Sequence, residues 1–488
     1  MRQLVQRPSD GWRAAVVSSI SSSTGLRGSP PRIALLTPYT GTNLGDAAIF
    51  EAAVRNLRER RPDAELVGLT LLPHATQKLH GIICRPSTGL HVPMYSDALF
   101  ASEGTPTRPA DDSDYRGKGA DQRQASTQLW RVWLKELPLI RAAVRGCRNA
   151  LHWLKAWKNE IVRLSSDWRA VRDFDAVFVC GGGQLDDEWG GPWGQPYVLA
   201  RWAVLCQIRK RGFCLLSVGV CRLERALSWR LLSIALRRAA YRSYLDLGSR
   251  QMLSPVLVFT VSDPCVDDLA FSLSIHVKPR GPASSGSLVI GLSPIAHGRP
   301  GAAPTANQAG YLAYLDAIVG FVMDQCRVGH VVRVFSTTSI DRHAIGDLRK
   351  RLVELDDPKL QAAVRFLRTE SLDDLLVQLA DIDIVVASRL HGVILAHRLG
   401  RPTVAVSYDR KVEAQMHLFG QESYLLSTAS VTQCQLNQCF ANLSSELPAI
   451  HDRLLECNRV AFERLASQYE TAIHASIAAT GQSTEELH

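Results

Sequence analysis

Short apolar runs that lead into a polar turn and then into helical spacing recur along this chain in two separate series. The first opens at Ile33–Leu36, turns at Thr40–Asp46 and continues with Phe50, Ala53, Val54 and Leu57 at helical intervals. Pro62 ends that helix and Leu66–Leu72 reads as the next strand. The rhythm resumes at Phe174–Cys180, with a helix at Pro196–Arg211, a strand at Phe213–Val218, a helix near Leu227–Tyr241 and a strand at Val256–Val261. The second series starts at Leu288–Leu292. It runs through a helix near Gln308–Cys326, the strand Val331–Phe335, a helix from Asp341, the strand Val364–Leu367 and a helix after Ser371. Ile382–Ala387, another helix and Thr403–Val406 complete it. Strands alternating with helices predict an α/β protein with mainly parallel sheets. The Pro/Gly/Ser-rich stretch 277–287 is the natural linker, so two Rossmann-like domains facing across a cleft are expected. The expected units are a flexible extension at 1–30, a first domain at 31–280, a second at 281–430 and a helical segment at 431–488. The stretch from about Leu447 is expected to cross back to the first domain.

A long insertion, about 101–172, interrupts the first domain. Residues 101–128 have almost no large apolar side chain and read as a mobile loop. Residues 129–172 read as helical and hold five of the ten tryptophans, with ten Lys/Arg against Glu136, Glu160 and Asp167. This pattern fits either a packed helical pair with a solvated basic face or a surface lying on an anionic membrane. Hydrophobic residues are 46% and charged residues 21% of the 488, which excludes a disordered chain. The net charge of +9 is compatible with phosphorylated substrates or an anionic membrane surface, but too diffuse to imply nucleic acid. No run approaches the ~18 apolar residues of a membrane-spanning helix, and Ala14–Val17 is too short for a signal-peptide core. The eleven cysteines show no CxxC or metal spacing, which predicts reduced, buried thiols in a cytoplasmic protein.

In open α/β sheets ligands bind beyond the carboxyl ends of the strands, and three glycine-bearing segments fall there. In Asn43-Leu44-Gly45-Asp46, Gly45 permits a tight turn and the following helix start favours an anion. Asp46 either acts on a sugar hydroxyl or caps the helix. In Gly181-Gly182-Gly183-Gln184-Leu185-Asp186, the glycines allow a ligand or another backbone to approach closely. Asp186 and Asp187 are candidates for sugar hydroxyls or a solvated turn. Cys180 reads as a buried small residue. In Ser388-Arg389-Leu390-His391-Gly392, Arg389 offers a two-pronged contact to phosphate or carboxylate, and His391 an anion contact and a proton near neutral pH. Tyr408-Asp409-Arg410-Lys411-Val412 adds charge at the same edge. His297, Arg299 and Arg333 are weaker candidates. No metal-ligand cluster is visible.

Taken in order, these segments resemble the polysaccharide pyruvyl transferase family. Asn43–Ile49 is similar to its N-x-G-D-x-A-I opening, and Gly181–Gly183 with Leu185 and Asp186 or Asp187 to its GGG-x-L-x-D motif. Ser249 and Asp263-Pro264 resemble its middle section. Ser388–Gly392, Gly400-Arg401-Pro402 and Tyr408–Val412 resemble its C-terminal signature. The sequence departs from the family at Thr42, where glycine is common, and at Leu245, where arginine is common before Asp246. The resemblance implies a GT-B-like pair of Rossmann-like domains and transfer of pyruvate from phosphoenolpyruvate onto a sugar diol as a cyclic ketal. It implies a bacterial exopolysaccharide or cell-wall role, and phosphoenolpyruvate bound by Arg389, Leu390 and His391. On this reading His391 and Asp46 are the catalytic candidates. Asn43, Gly45, Gly181, Gly182, Gly183, Asp186, Asp409 and Lys411 join Arg389 and Leu390 in binding substrate. Asp186 is an alternative to Asp46 for the acceptor. The expected partners are phosphoenolpyruvate, as donor substrate with no cofactor, and a sugar or lipid-linked oligosaccharide. Peripheral contact with the inner face of the membrane is a further expectation, and nucleic acid is not expected. Two other readings stay open: a GT-B glycosyltransferase using a nucleotide sugar, and a non-catalytic, membrane-associated assembly protein.

Overall fold

A computed structural model describes residues 30–41, 43–89, 158–187, 190–220, 223–254, 263–279, 281, 286–297 and 307–480. Residues 101–128, expected to be a loop, most of the Trp-rich segment, nearly all of the N-terminal extension, Arg299 and the expected strand Val256–Val261 lie outside the described residues.

The first sheet has six parallel strands: β1 (Arg32–Leu36), β2 (Glu65–Thr70), β3 (Ile83–Pro86), β4 (Ala176–Leu185), β5 (Gly212–Val220) and β6 (Tyr241–Tyr244), in the order β3-β2-β1-β4-β5-β6. The second repeats this plan with β7 (Val289–Ser293), β8 (Val331–Val334), β9 (Val364–Phe366), β10 (Ile384–Ala387), β11 (Thr403–Ser407) and β12 (Leu425–Ser427), in the order β12-β11-β10-β7-β8-β9. Each order reverses at one place, between β1 and β4 and between β7 and β10. That is the switch point where a crevice opens beyond the strand ends. The central strands are near-continuous apolar runs because helices cover both faces, as with Ile384–Ala387, which is buried at all four positions.

The helices relevant to the cleft are α1 (Leu44–Arg60), α2 (158–173), α3 (Gln195–Ile208), α4 (Ala226–Arg238), α5 (Leu247–Met252), α6 (Leu390–Arg398), α7 (Arg410–Leu418) and α8 (Leu447–Ala478). Helix α2 is the described end of the insertion, and it packs on the first domain. Buried Glu160 takes Arg201 at 2.8 Å and the Tyr197 hydroxyl at 2.7 Å, and Asp167 meets Arg201 at 3.2 Å. Arg209 lies over the Trp168 ring at 3.6 Å.

Helix α8 returns to the first domain. Its Asn458 donates to the His397 carbonyl at 2.7 Å in the second domain. Its Gln468 bonds the hydroxyls of Ser217 and Ser243 on β5 and β6. Ser217 is held at φ 45° where the β5–β6 register slips, so the strap seizes an irregular point of the sheet. One apolar core runs through both domains, and Phe271 stacks on Phe419 at 4.7 Å across the junction. The short strands β3, β6 and β12 and the helix Pro73–His80 were not apparent from the sequence. The helix expected to reach Tyr241 stops at Arg238, and β6 begins at Tyr241. Cys434 is exposed, against the expectation of uniformly buried thiols.

Candidate functional site

The first domain meets the cleft through the start of α1. Asn43 caps it: its side-chain oxygen accepts from the Gly45 amide at 3.0 Å and its amide donates to Asp46 Oδ2 at 3.0 Å. Asp46 is therefore not the cap, and its carboxylate is held in the first turn. Burial pushes the Asp46 carboxyl above the ordinary carboxylate range and nearby Asp268 adds to this, while His391 and the Asn43 amide pull it back. The Leu44 amide donates to the Thr337 carbonyl at 2.8 Å, and Asn43 bridges Thr338, so the helix start is pinned to the second domain. Gly45 lies inside the helix and not in a turn. It is required for a close approach: a Cβ there would fall 2.2 Å from Cγ and Nδ1 of His391.

The glycine run is not a loop after the strand, as the sequence suggested. β4 continues through it to Leu185, with a register shift between Gly182 and Leu185. Gly181 and Gly182 adopt φ of 37° and 71°. What approaches them is protein: a Cβ on Gly181 would meet Leu269 at 3.0 Å, and one on Gly182 would meet Ile49 at 3.2 Å. Gly183 is exposed and Asp186 follows the strand end, half-buried. Asp187 is a structural cap, accepting from the amides of Glu224 and Arg225 and from the Ser228 hydroxyl at the start of α4. Cys180 is fully buried and burial pushes its thiol upward.

The second domain contributes the cations. Arg389 precedes α6 at the end of β10. Its two-pronged contact is made to Asp341, with Nε to Oδ2 at 2.6 Å and Nη2 to Oδ1 at 2.9 Å, while Nη1 donates to the Tyr408 hydroxyl at 3.1 Å. Burial works against the Arg389 charge, but Asp341 and Tyr408 more than offset it and hold the guanidinium protonated. The guanidinium is thus fixed in place at the cleft before any anion arrives. His297 stacks on Tyr408 at 4.8 Å and extends the same wall.

Leu390 begins α6 and packs partly into the core. His391, 15% exposed, crosses to the first domain, where its Nε2 stands 3.9 Å from Asp268 Oδ2. Asp409 caps α7 by accepting from the Lys411 amide at 2.9 Å. Buried Lys411 also reaches across, with Nζ 3.1 Å from where a Cβ on Gly219 would stand. Arg410 is exposed beside Gly248. Arg333 pairs with Asp381 at 3.7 Å on the outer surface. Ser249 sits in α5, where its amide and hydroxyl both bond Asp246, so this pair locks the sheet edge. The structure adds Asp268 and Asp341, which sequence reasoning missed. Asp268 follows Asp263-Pro264 by only a few residues, the one signal that could have drawn attention to it. Among the described residues, no group of three or more His, Cys, Asp or Glu could hold a metal ion, and no helix is long and apolar enough to cross a membrane.

Two Rossmann-like domains whose carboxyl edges face each other, one cationic and one carrying carboxylates, define a GT-B-like protein. Among solved structures, a Listeria monocytogenes protein described as a UDP-N-acetylglucosamine 2-epimerase is similar at TM-score 0.50 and 10% identity, covering 91% of this chain and 96% of that one. The Neisseria meningitidis UDP-GlcNAc 2-epimerase gives 0.48 at 10%, covering 91% and 99%. E. coli ADP-heptose heptosyltransferase II gives 0.38 at 14%, covering 85% and 99%. No curated protein matches. The family model for polysaccharide pyruvyl transferase matches residues 43–410, and the chain belongs to that family. It is accordingly a transferase acting in polysaccharide biosynthesis.

Proposed function

We propose that the cleft moves pyruvate from phosphoenolpyruvate onto two hydroxyls of a sugar, in a polysaccharide or its lipid-linked precursor, forming a cyclic ketal and releasing phosphate. The observation that carries this reading is the juxtaposition across the domains. Arg389 and His391 on one edge meet Gly45 and Asp46 on the other, with the imidazole packed against the helix start. A donor that carries both a phosphate and a carboxylate needs cations and helix-start amides. Ketal formation needs a proton donor and an acceptor for hydroxyl protons.

The chemistry balances without a redox partner. The methylene carbon of phosphoenolpyruvate takes a proton, which gives the central carbon positive character. One sugar hydroxyl attacks that carbon and gives up its proton. The C–O bond to phosphate breaks, and the second hydroxyl closes the ring, its proton leaving with phosphate. In this scheme His391 supplies the first proton. Asp46, whose raised carboxyl holds protons more readily than an ordinary one, receives the hydroxyl proton. Lys411 and the two Nη hydrogens of Arg389 not engaged by Asp341 and Tyr408 hold the donor, and no cofactor is required.

The experiment is acceptor-dependent phosphate release from phosphoenolpyruvate, with the pyruvate ketal detected on the sugar product. His391→Gln is expected to lower the rate on the order of 10²- to 10⁴-fold. A wild-type protein that consumes a nucleotide sugar and ignores phosphoenolpyruvate would overturn the reading.

A further inference from the structure

Asp268 is a buried acid that the fold alone does not explain. Its side chain is 0% exposed and precedes the short 3-10 turn Leu269–Ser272. One oxygen, Oδ1, accepts from the Ala270 amide at 2.9 Å, which completes the cap. A neutral Asn or Ser would serve that purpose without burying a charge. The other oxygen, Oδ2, has no hydrogen-bond partner, and neither does buried Nε2 of His391, 3.9 Å away. Two buried polar atoms without partners, facing each other from different domains, are about 1 Å short of a hydrogen bond. Adjacent Asp267 is turned elsewhere, to Arg464 of α8 at 3.7 Å.

The turn that carries Asp268 is braced from several sides. Leu269 packs under Gly181, and Phe271 stacks on Phe419 of the second domain. The carboxylate is therefore held on a rigid mount at the node where both domains meet. The charged groups around the imidazole are Asp46 on α1, Asp268 on the turn, and Arg389 two residues before it, whose fork is occupied by Asp341.

We infer that Asp268 is the positioning residue for His391, and that a local shift of about 1 Å completes a carboxylate–imidazole hydrogen bond across the cleft. A carboxylate is an acceptor only, so it selects the tautomer with hydrogen on Nε2. That leaves Nδ1, on the ring edge against Gly45, to exchange protons with the reacting groups. This inference rests on the proposed pyruvyl transfer for its kinetic arm, but its spectroscopic arm does not.

The test is Asp268→Asn in the full chain. The amide oxygen keeps the cap while its NH₂ faces Nε2 and demands an acceptor there. With ring-¹⁵N histidine, and the His391 signal assigned by its absence in His391→Gln, wild type without ligand, at a pH alkaline enough for the ring to be neutral, is expected to show the Nε2–H form. Asp268→Asn is expected to shift it toward Nδ1–H. In turnover, kcat is expected to fall on the order of 10²-fold or more with KM for phosphoenolpyruvate little changed. Adding Asp268→Asn to His391→Gln is expected to cost nothing further. Should Asp268→Asn not fold, Asp268→Ser keeps a capping oxygen and is expected to give the same loss of kcat. An unchanged tautomer, or losses that add in the double variant, would overturn the pair. If wild type never releases phosphate from phosphoenolpyruvate, the functional reading fails, and the tautomer measurement still decides the pair.

Discussion

The first domain brings to the cleft a helix start, a bulged glycine strand and the carboxylates Asp46 and Asp268, whereas the second brings Arg389, His391, Tyr408 and Lys411. The two sheets share one strand order, so topology does not account for the contrast. It lies in how each edge is held. On the second domain the key cation, Arg389, is locked into an ion pair with fully buried Asp341, so it serves stability as well as the binding role proposed for it. On the first domain the key feature is the absence of a side chain at Gly45, which lets His391 cross.

If that contrast is right, substitutions on the two edges should fail differently. The largest effect is expected from Arg389→Ala, which strands Asp341 as an unpaired, fully buried charge. Such a loss costs about 3–5 kcal/mol. Chemical denaturation should show it alongside loss of activity, and Asp341→Asn added to Arg389→Ala should recover part of the stability. Gly45→Ala should act through sterics, with no charge left unpaired. The new methyl would displace His391, and kcat/KM should fall on the order of 10²-fold. The melting temperature should fall as well, because the methyl would also stand 2.5 Å from the Cβ of His391, at the root of that side chain, and one of the two helix starts must shift. Asp187→Ala tests the cap against a substrate role. Stability should fall by about 1–2 kcal/mol with kcat and KM unchanged in the folded fraction.

The smallest effect concerns Asp46. Its folded carboxyl is raised above the unfolded value, so its contribution to stability is fully present below the unfolded value and is lost as pH rises through the folded one. At pH 7 the charged form is therefore a liability. Asp46→Asn should melt slightly higher than wild type there, the gap closing as pH falls into the carboxylate range, while activity is lost at every pH.

Much of the cleft was legible in the sequence, but unevenly between the domains. Strands buried on both faces, such as Ile384–Ala387, announce themselves as unbroken apolar runs. The edge strand Ile83–Pro86, with no fully buried residue, carries no such signal, and neither does Tyr241–Tyr244 with its central arginine and serine. The segment Ser388–Gly392 pointed correctly to the carboxyl edge because a buried strand runs straight into a helix. Gly45 was noticed for the wrong reason. A glycine needed for a neighbour's approach looks, in sequence, like one needed for a turn. Asp341 and Asp268 act through partners far along the chain, at Arg389 and His391, and no local spacing reveals such pairs.

The most direct test of the account is the melting temperature of wild type and His391→Gln, each with phosphoenolpyruvate and, separately, with a nucleotide sugar. A ligand at 100 times its Kd adds about 2.7 kcal/mol to the stability of the fold it binds. We expect phosphoenolpyruvate to raise the wild-type midpoint, His391→Gln to lose most of that rise, and the nucleotide sugar to move neither. A wild-type midpoint raised by the nucleotide sugar and unmoved by phosphoenolpyruvate would contradict the assignment of this cleft to pyruvyl transfer.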